Sequence, residues 1–405
     1  MHILLIHQAF ASLNEPGGTR HHELARYLVE KGHQFTVIAS PVSYLTGKPG
    51  QIHTPWVTKQ EEQGITILRT YTYPALHRSF FHRFIGFLSF MLSSFFASLR
   101  VKRVDLVWGT SPPIFQGLTA WLVARLRGAR FLFEVRDLWP DFAIAVGVLR
   151  NPLIIHASRW LERFLYTHAD RVLINSPGFT SHVQAHGARQ VELVPNGSDP
   201  RMFDPSLDGL NFRLEHHLED KFLVLYAGAH GLSNDLGVVL QASRLLQDHP
   251  GIVIVLLGDG KEKPALVQRA DELKLDNLRF IPPLPKLDMP AALAAADACI
   301  AILKPIPQFA TVYPNKVFDY MAAGKPVILA IKGVICEVIE NVQAGISVEP
   351  GDAAGIAEAI LKLAGNPVMG KAMGRRGREY VVTHFDRAVL ASKLEKILQD
   401  VIEKE

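Results

Sequence analysis

The feature that most constrains this chain is a rhythm. Short apolar runs, at His2 to His7, Gln34 to Ser40, Asp105 to Gly109, Arg130 to Val135, Arg171 to Asn175 and Val191 to Val194, alternate with longer amphipathic stretches such as Arg20 to Lys31, Phe115 to Leu126 and Ile154 to Thr167. Runs apolar throughout predict strands buried on both faces, which a parallel sheet sandwiched between helices provides. The rhythm breaks at the polar, proline-rich segment PNGSDPRMFDP, Pro195 to Pro205, and then restarts. The second series is Phe222 to Tyr226, Ile252 to Leu257, Leu278 to Ile281, Ala298 to Leu303, Pro326 to Ile331 and Ile346 to Val348. Two such sheets in series predict an α/β chain of two Rossmann-like, doubly wound domains, 1–197 and 198–384, with a last helix, about 385–405, free to pack back on the first. Such sheets bind ligands beyond the carboxyl ends of their strands, so a central cleft faced by both domains is the expected site.

The 405 residues suffice for two cores, and 48% apolar with 20% charged residues excludes a disordered chain. Cys299 and Cys336, the two cysteines, sit in or beside apolar runs without metal-ligand spacing, which fits a reducing, cytoplasmic compartment. Met1 to His7 lacks the basic flank of a signal peptide and reads as a first strand. The net charge of +4 hides an asymmetry, because residues 1–197 carry 20 Lys and Arg against 12 Asp and Glu. A basic first half favours an anionic membrane or a phosphate-bearing substrate, and the lack of basic runs interleaved with aromatics argues against nucleic acid.

Phe80 to Leu99, FFHRFIGFLSFMLSSFFASL, does not fit a plain Rossmann half. Its uncharged part, Phe84 to Leu99, spans about 24 Å as a helix, short of the ~20 residues of a membrane span. Basic residues flank it, Arg78, His82 and Arg83 before and Arg100, Lys102 and Arg103 after. The pattern suits a helix lying in a membrane interface, with Phe87 and Phe90 as contacts, and equally suits a buried core helix.

Two loops offer chemistry. Thr311 to Pro326, TVYPNKVFDYMAAGKP, reads as loop, short helix and turn between two strands. A helix starting at Asn315 or Lys316 turns unpaired N–H groups toward the loop, Lys316 adds a charge, and Asp319 follows one turn deeper on the same face. That set suits a nucleotide diphosphate with its ribose; an ordinary capped helix gives the same pattern. After the first strand, QAFASLNEPGGTR ends in Gly17-Gly18, which permit close backbone approach ahead of another helix. His21 and His22 at that helix start fit a surface or cleft-rim place better than a metal site, and Asp137 and Asp141 read as a pair at a helix start rather than ligands. No metal-binding Asp-x-Asp and no His/Cys cluster is legible.

Gly17-Gly18 with HHELARYLVEKGHQFTV, the hinge phrase VPNGSDPRMFDP and the phrase VFDYMAAGKPVI together resemble the retaining GT-B glycosyltransferases of glycosyltransferase family 4, group 1. The similarity runs through nearly the whole chain in order, and is nearest to bacterial transferases that build O-antigen, capsule or exopolysaccharide repeats, including fucosamine-type transferases. It implies that Gly17 and Gly18 face the donor diphosphate and the acceptor, that Asn315 and Lys316 meet the diphosphate and that Asp319 holds the ribose. Near the anomeric centre it implies Asp137, with Arg136 standing where the family has a histidine. Thr311 stands in place of a second glutamate, and AHGLSND, from Ala229, lacks the family's Arg/Lys pair. The charge then falls to Lys316, backbone amides of the Gly228 to Gly231 loop and His230. The implied activity moves a sugar from a UDP-linked donor to a lipid-linked or glycan acceptor at the inner membrane face, with retention and without a metal or other cofactor. A sugar-nucleotide 2-epimerase and a non-catalytic subunit of the same fold stay open.

Overall fold

The computed structural model describes residues 1–43, 56–74 and 80–403. The chain forms two compact units, one of Met1–Leu13, Gly17–Pro195 and Ala388–Glu405, the other of Asn14–Pro16 and Asn196–Arg387.

Among the described residues the first unit has an eight-stranded sheet of β1 (His2–Ile6), β2 (Gln34–Ala39), β3 (Val57–Glu62), β4 (Ile65–Thr70), β5 (Leu106–Ser111), β6 (Arg130–Val135), β7 (Arg171–Ile174) and β8 (Val191–Leu193). Its order is β3-β4-β2-β1-β5-β6-β7-β8, and only β3 and β4 pair antiparallel. Helices α1 (Arg20–Glu30), α2 (Phe80–Ser98), α3 (Phe115–Arg127), α4 (Asp141–Ala145), α5 (Pro152–His168) and α6 (Thr180–Ala185) lie between. The apolar-run rule passes over the β3–β4 hairpin because β3, VTKQEE, is a polar edge strand that no helix has to cover.

The second unit holds β9 (Phe222–Ala227), β10 (Ile252–Leu257), β11 (Leu278–Ile281), β12 (Ala298–Ile302), β13 (Val327–Ala330) and β14 (Gly345–Ser347), all parallel, in the order β11-β10-β9-β12-β13-β14. Its helices are α7 (Leu210–Glu215), α8 (Leu236–Leu245), α9 (Lys263–Glu272), α10 (Met289–Ala295), α11 (Asn315–Ala322), α12 (Val334–Val342), α13 (Ala353–Gly365) and α14 (Pro367–His384). The closing helix, α15 (Arg387–Glu403), buries Leu390, Leu394 and Leu398 in one cluster with Ile3, Leu5, Leu24 and Trp108 of the first unit. Chain order reverses between β1 and β5 in one sheet and between β9 and β12 in the other, and a doubly wound sheet opens its binding crevice at such a switch point.

Helix α2 corrects one expectation. Phe90 is fully buried and Phe87 stacks on Phe115 at 5.9 Å, so both face the core. The outward face is a different set, Phe84, Leu88, Leu92, Phe96 and Leu99, with Leu92 64% and Phe96 63% exposed. These residues recur at helical spacing and make one apolar stripe. Arg100, Lys102 and Arg103 after it are exposed, whereas Arg78 falls outside the described residues. Among the described residues no helix is long and apolar enough to cross a membrane.

Candidate functional site

In the second unit the loop after β9 and the start of α11 come together at the switch point. Tyr320 fastens them, because its hydroxyl accepts from Ala227 N (2.8 Å) and donates to Ala227 O (3.2 Å). One turn earlier Lys316 places Nζ 3.8 Å from the centre of the Tyr226 ring. Gly228 makes this possible, since a Cβ there would stand 2.7 Å from Nζ. Among the described residues Nζ has no hydrogen-bond partner, and burial lowers its pKa to about 7. A desolvated ammonium without a counter-charge is costly, and an anion would relieve it.

The amides around it are only partly available. The N–H groups of Gly228 and His230 are donated to Leu257 O (2.9 Å) and Asp259 O (2.8 Å), which corrects the expectation that the whole Gly228 to Gly231 loop offers amides. Ala229, Gly231 and the first-turn N–H groups of Asn315 and Lys316 have no such acceptor among the described residues. The His230 ring is buried near Tyr226, and burial, then Lys263 and Lys316, lower it to about 4, so it is a neutral donor or acceptor at pH 7.

Asp319 points elsewhere. Its Oδ2 accepts from Lys286 Nζ (2.6 Å) and Asn315 Nδ2 (3.1 Å), and its Oδ1 from Ser198 Oγ (2.7 Å). The expected cation with a carboxylate behind it is therefore two separate features, Lys316 toward Gly228 and Asp319 toward the hinge phrase. Asn196 Nδ2 donates to Tyr313 O (2.7 Å), and Arg387 bonds both Gly197 O and Asn315 Oδ1. The phrases PNGSD and DYMAAGKP thus meet at α11 through Ser198 and Asp319, 121 residues apart. Thr311 spends its hydroxyl on Gln308 O (2.7 Å).

In the first unit a polar cluster sits below the carboxyl ends of β1, β5 and β6. Glu134, fully buried, accepts from Arg20 Nε (3.1 Å) and His21 Nε2 (2.5 Å). Burial alone would raise its pKa, but His21 and Arg20 outweigh that and hold it at about 2. Arg20 also donates to Val194 O and Pro195 O. His7, likewise buried, packs its ring against His21 at 4.4 Å with the planes tilted by 55°, and burial keeps it neutral. His21 and His22 are therefore interior rather than rim residues, because the helix they open dips into the sheet's crevice. Gly17, just ahead, needs to be glycine, with φ +154° and room for a Cβ only 2.9 Å from Ala11 Cβ; Gly18 has open space.

Arg136 and Asp137 follow β6 directly and have contrasting environments. Arg136 spends donors on Thr110 Oγ1 (2.8 Å), Ser111 O (3.1 Å) and Pro112 O (3.0 Å), so it braces the loop after β5. Asp137 is partly buried and its backbone carbonyl accepts from Trp139 N (2.9 Å), but its carboxylate has no hydrogen-bond or ion-pair partner among the described residues, and burial, opposed by Arg136, raises it to about 6. A carboxylate poised there can carry a proton near neutral pH.

Residues 17–197 match the family described as Glycosyl transferase 4-like domain, and residues 221–366 match Glycosyl transferases group 1. The chain is a two-domain glycosyltransferase. This glycosyltransferase is 26% identical over 383 residues to the putative colanic acid biosynthesis glycosyl transferase WcaI of Escherichia coli, an alignment covering 90% of this chain and 91% of the relative. Its fold matches a sucrose-phosphate synthase from Thermosynechococcus elongatus with a TM-score of 0.80 at 18% identity, over 100% of both chains. It also matches Anabaena HepE, solved in complex with UDP-glucose, with a TM-score of 0.73 at 16% identity, over 99% of this chain and 100% of that one. At these identities the structures establish the GT-B fold of the glycosyltransferase.

Glu134, His7 and Lys286 are the residues that sequence reasoning did not single out, and His21 was placed at the rim instead of against Glu134. Glu134 left a signal, a lone carboxylate inside the apolar strand RFLFEV, which requires buried partners. Lys286 left none, since only folding brings it to Asp319.

Proposed function

We propose that the enzyme transfers a sugar, with retention, from a UDP-linked donor to a lipid-linked acceptor in the assembly of a bacterial surface polysaccharide. The carrying observation is Lys316, whose buried Nζ lies over the Tyr226 ring with no hydrogen-bond partner among the described residues, set between first-turn amides of α11 and the loop after β9. A diphosphate supplies what it lacks, and negative charge growing on the leaving β-phosphate would be met by fixed donors, without a metal. Asp319 keeps room for a ribose hydroxyl, because a carboxylate offers about four lone-pair positions and three are taken. Asp137 is the group assigned to the reacting centre. UDP-glucose bound by HepE and colanic acid assembly in the name of WcaI support the donor and pathway classes.

The exposed stripe of α2 supports docking on the inner face of the membrane. Its apolar side chains and the basic residues after it suit an anionic lipid surface, with about 1 kcal/mol per nearby basic residue. The test is incubation with a panel of UDP-sugars and a polyprenyl-diphosphate-linked acceptor, followed by mass spectrometry of the lipid. A glycosylated lipid with release of UDP is the expected result; UDP release without glycoside points to an epimerase or hydrolase, and no release to a non-catalytic subunit. In parallel, Leu92→Ser/Phe96→Ser should abolish most binding to anionic vesicles at an unchanged melting temperature, and retained binding removes the docking role.

A further inference from the structure

Helix α5, helix α6 and the residue that follows α6 bring together three side chains outside the sites described above. Glu162, His182 and His186 each present a ligand atom, and these atoms lie within 4.8 Å of one another. Glu162 is buried, its Oε1 is already 2.8 Å from His182 Nε2, and its Oε2 has no partner among the described residues. His186 donates Nδ1 to His182 O (2.8 Å), so its Nε2 is the nitrogen left to bind. His182 Nδ1 lies 3.8 Å from Asp141 Oδ2, and Tyr166 donates to Glu162 Oε1 (3.0 Å).

We propose that Glu162, His182 and His186 form a binding site for a divalent transition metal, Zn²⁺ by preference. Two imidazoles and one carboxylate are a borderline-hard set that suits Zn²⁺, leaving a fourth position to water. The surroundings are those that metal-bound histidines require. The His186 ring is oriented by its hydrogen bond to a backbone carbonyl, and the Asp141 carboxylate lies 3.8 Å from His182 Nδ1, near enough to close on it when an ion binds. A tetrahedral site with bonds of about 2.0–2.1 Å has edges of about 3.3 Å, so the three ligand atoms, now within 4.8 Å of one another, would draw together when the ion binds. The spacing was invisible in the sequence because Glu162 and His182 lie on different helices. Through Asp141, the first residue of α4, the ion would also steady the segment following Asp137.

The test uses the full, tag-free chain, freed of metal by chelator and titrated with Co²⁺ and Zn²⁺. One equivalent of Co²⁺ should bind with the visible d–d bands of a four-coordinate site, and Zn²⁺ should displace it and raise the melting temperature. His186→Ala and Glu162→Gln should each weaken binding about 100-fold and abolish the thermal shift, and Asp141→Asn should weaken it about 10-fold. Circular dichroism of the metal-free variants should match the parent, so that loss of binding is not loss of fold. Absence of a stoichiometric site, or binding equal in the parent and both ligand variants, as scattered surface histidines would give, overturns the proposal.

Discussion

The two units each bury a charged side chain near the crevice of a doubly wound sheet, Glu134 inside strand β6 and Lys316 on helix α11, and treat it in opposite ways. In the first, Glu134 is met by Arg20 and His21, and the arginine is itself bonded to two carbonyls. The network closes on itself. In the second, Lys316 has an aromatic face beneath it and no acceptor among the described residues. A closed network organises a fold, and an open one waits for a ligand. Asp137 marks the boundary, an open carboxylate three residues from the closed one.

Breaking the closed network should have the largest effect. Glu134→Ala leaves Arg20 buried without its acid and should cost about 3–5 kcal/mol in urea unfolding, the range for breaking a buried pair. A loss under about 1 kcal/mol would mean that water or rearrangement satisfies Arg20, and the contrast between the units would collapse. Asp137→Asn should lower turnover about 100-fold or more while UDP affinity stays within a few-fold. The same change should stabilise the fold. A carboxyl whose folded value, about 6, lies above its unfolded one holds its proton better when folded, so its contribution is lost as pH rises through that range. Melting temperatures should therefore favour Asp137→Asn at pH 7.5 and converge with the parent near pH 4. Lys316→Met should weaken UDP binding by about 1.5–3 kcal/mol, the scale of a charge-assisted hydrogen bond, without destabilising the free protein. An unchanged calorimetric dissociation constant would move the diphosphate away from α11.

The fold class was legible because both sheets are written as repeated apolar runs, and the phrases around Gly17, Asn196 and Asp319 carried the enzyme class. The details that failed share one cause. Sequence spacing placed Lys316 and Asp319 on one helical face, but their side chains follow different tertiary partners, Tyr226 and Lys286. Spacing likewise marked α2 as apolar without telling which phenylalanines face Phe115. His21 and His22 looked superficial because polarity was taken for exposure, whereas Glu134 and the crevice draw their helix inward.

The burial of Lys316 also turns recognition into a proton-counting event. With its pKa near 7, the free enzyme at pH 8 carries that side chain mostly uncharged, while a bound diphosphate would demand the charged form. Each binding event on the alkaline side would then draw close to one proton from the buffer, and affinity would fall by up to about tenfold per pH unit above 7. Titration calorimetry in two buffers of different ionisation heat reads that proton directly, and the uptake should vanish in Lys316→Met. Donor capture by this enzyme would be tied to the acidity of its surroundings even though the nucleotide's own charge hardly changes over the same range.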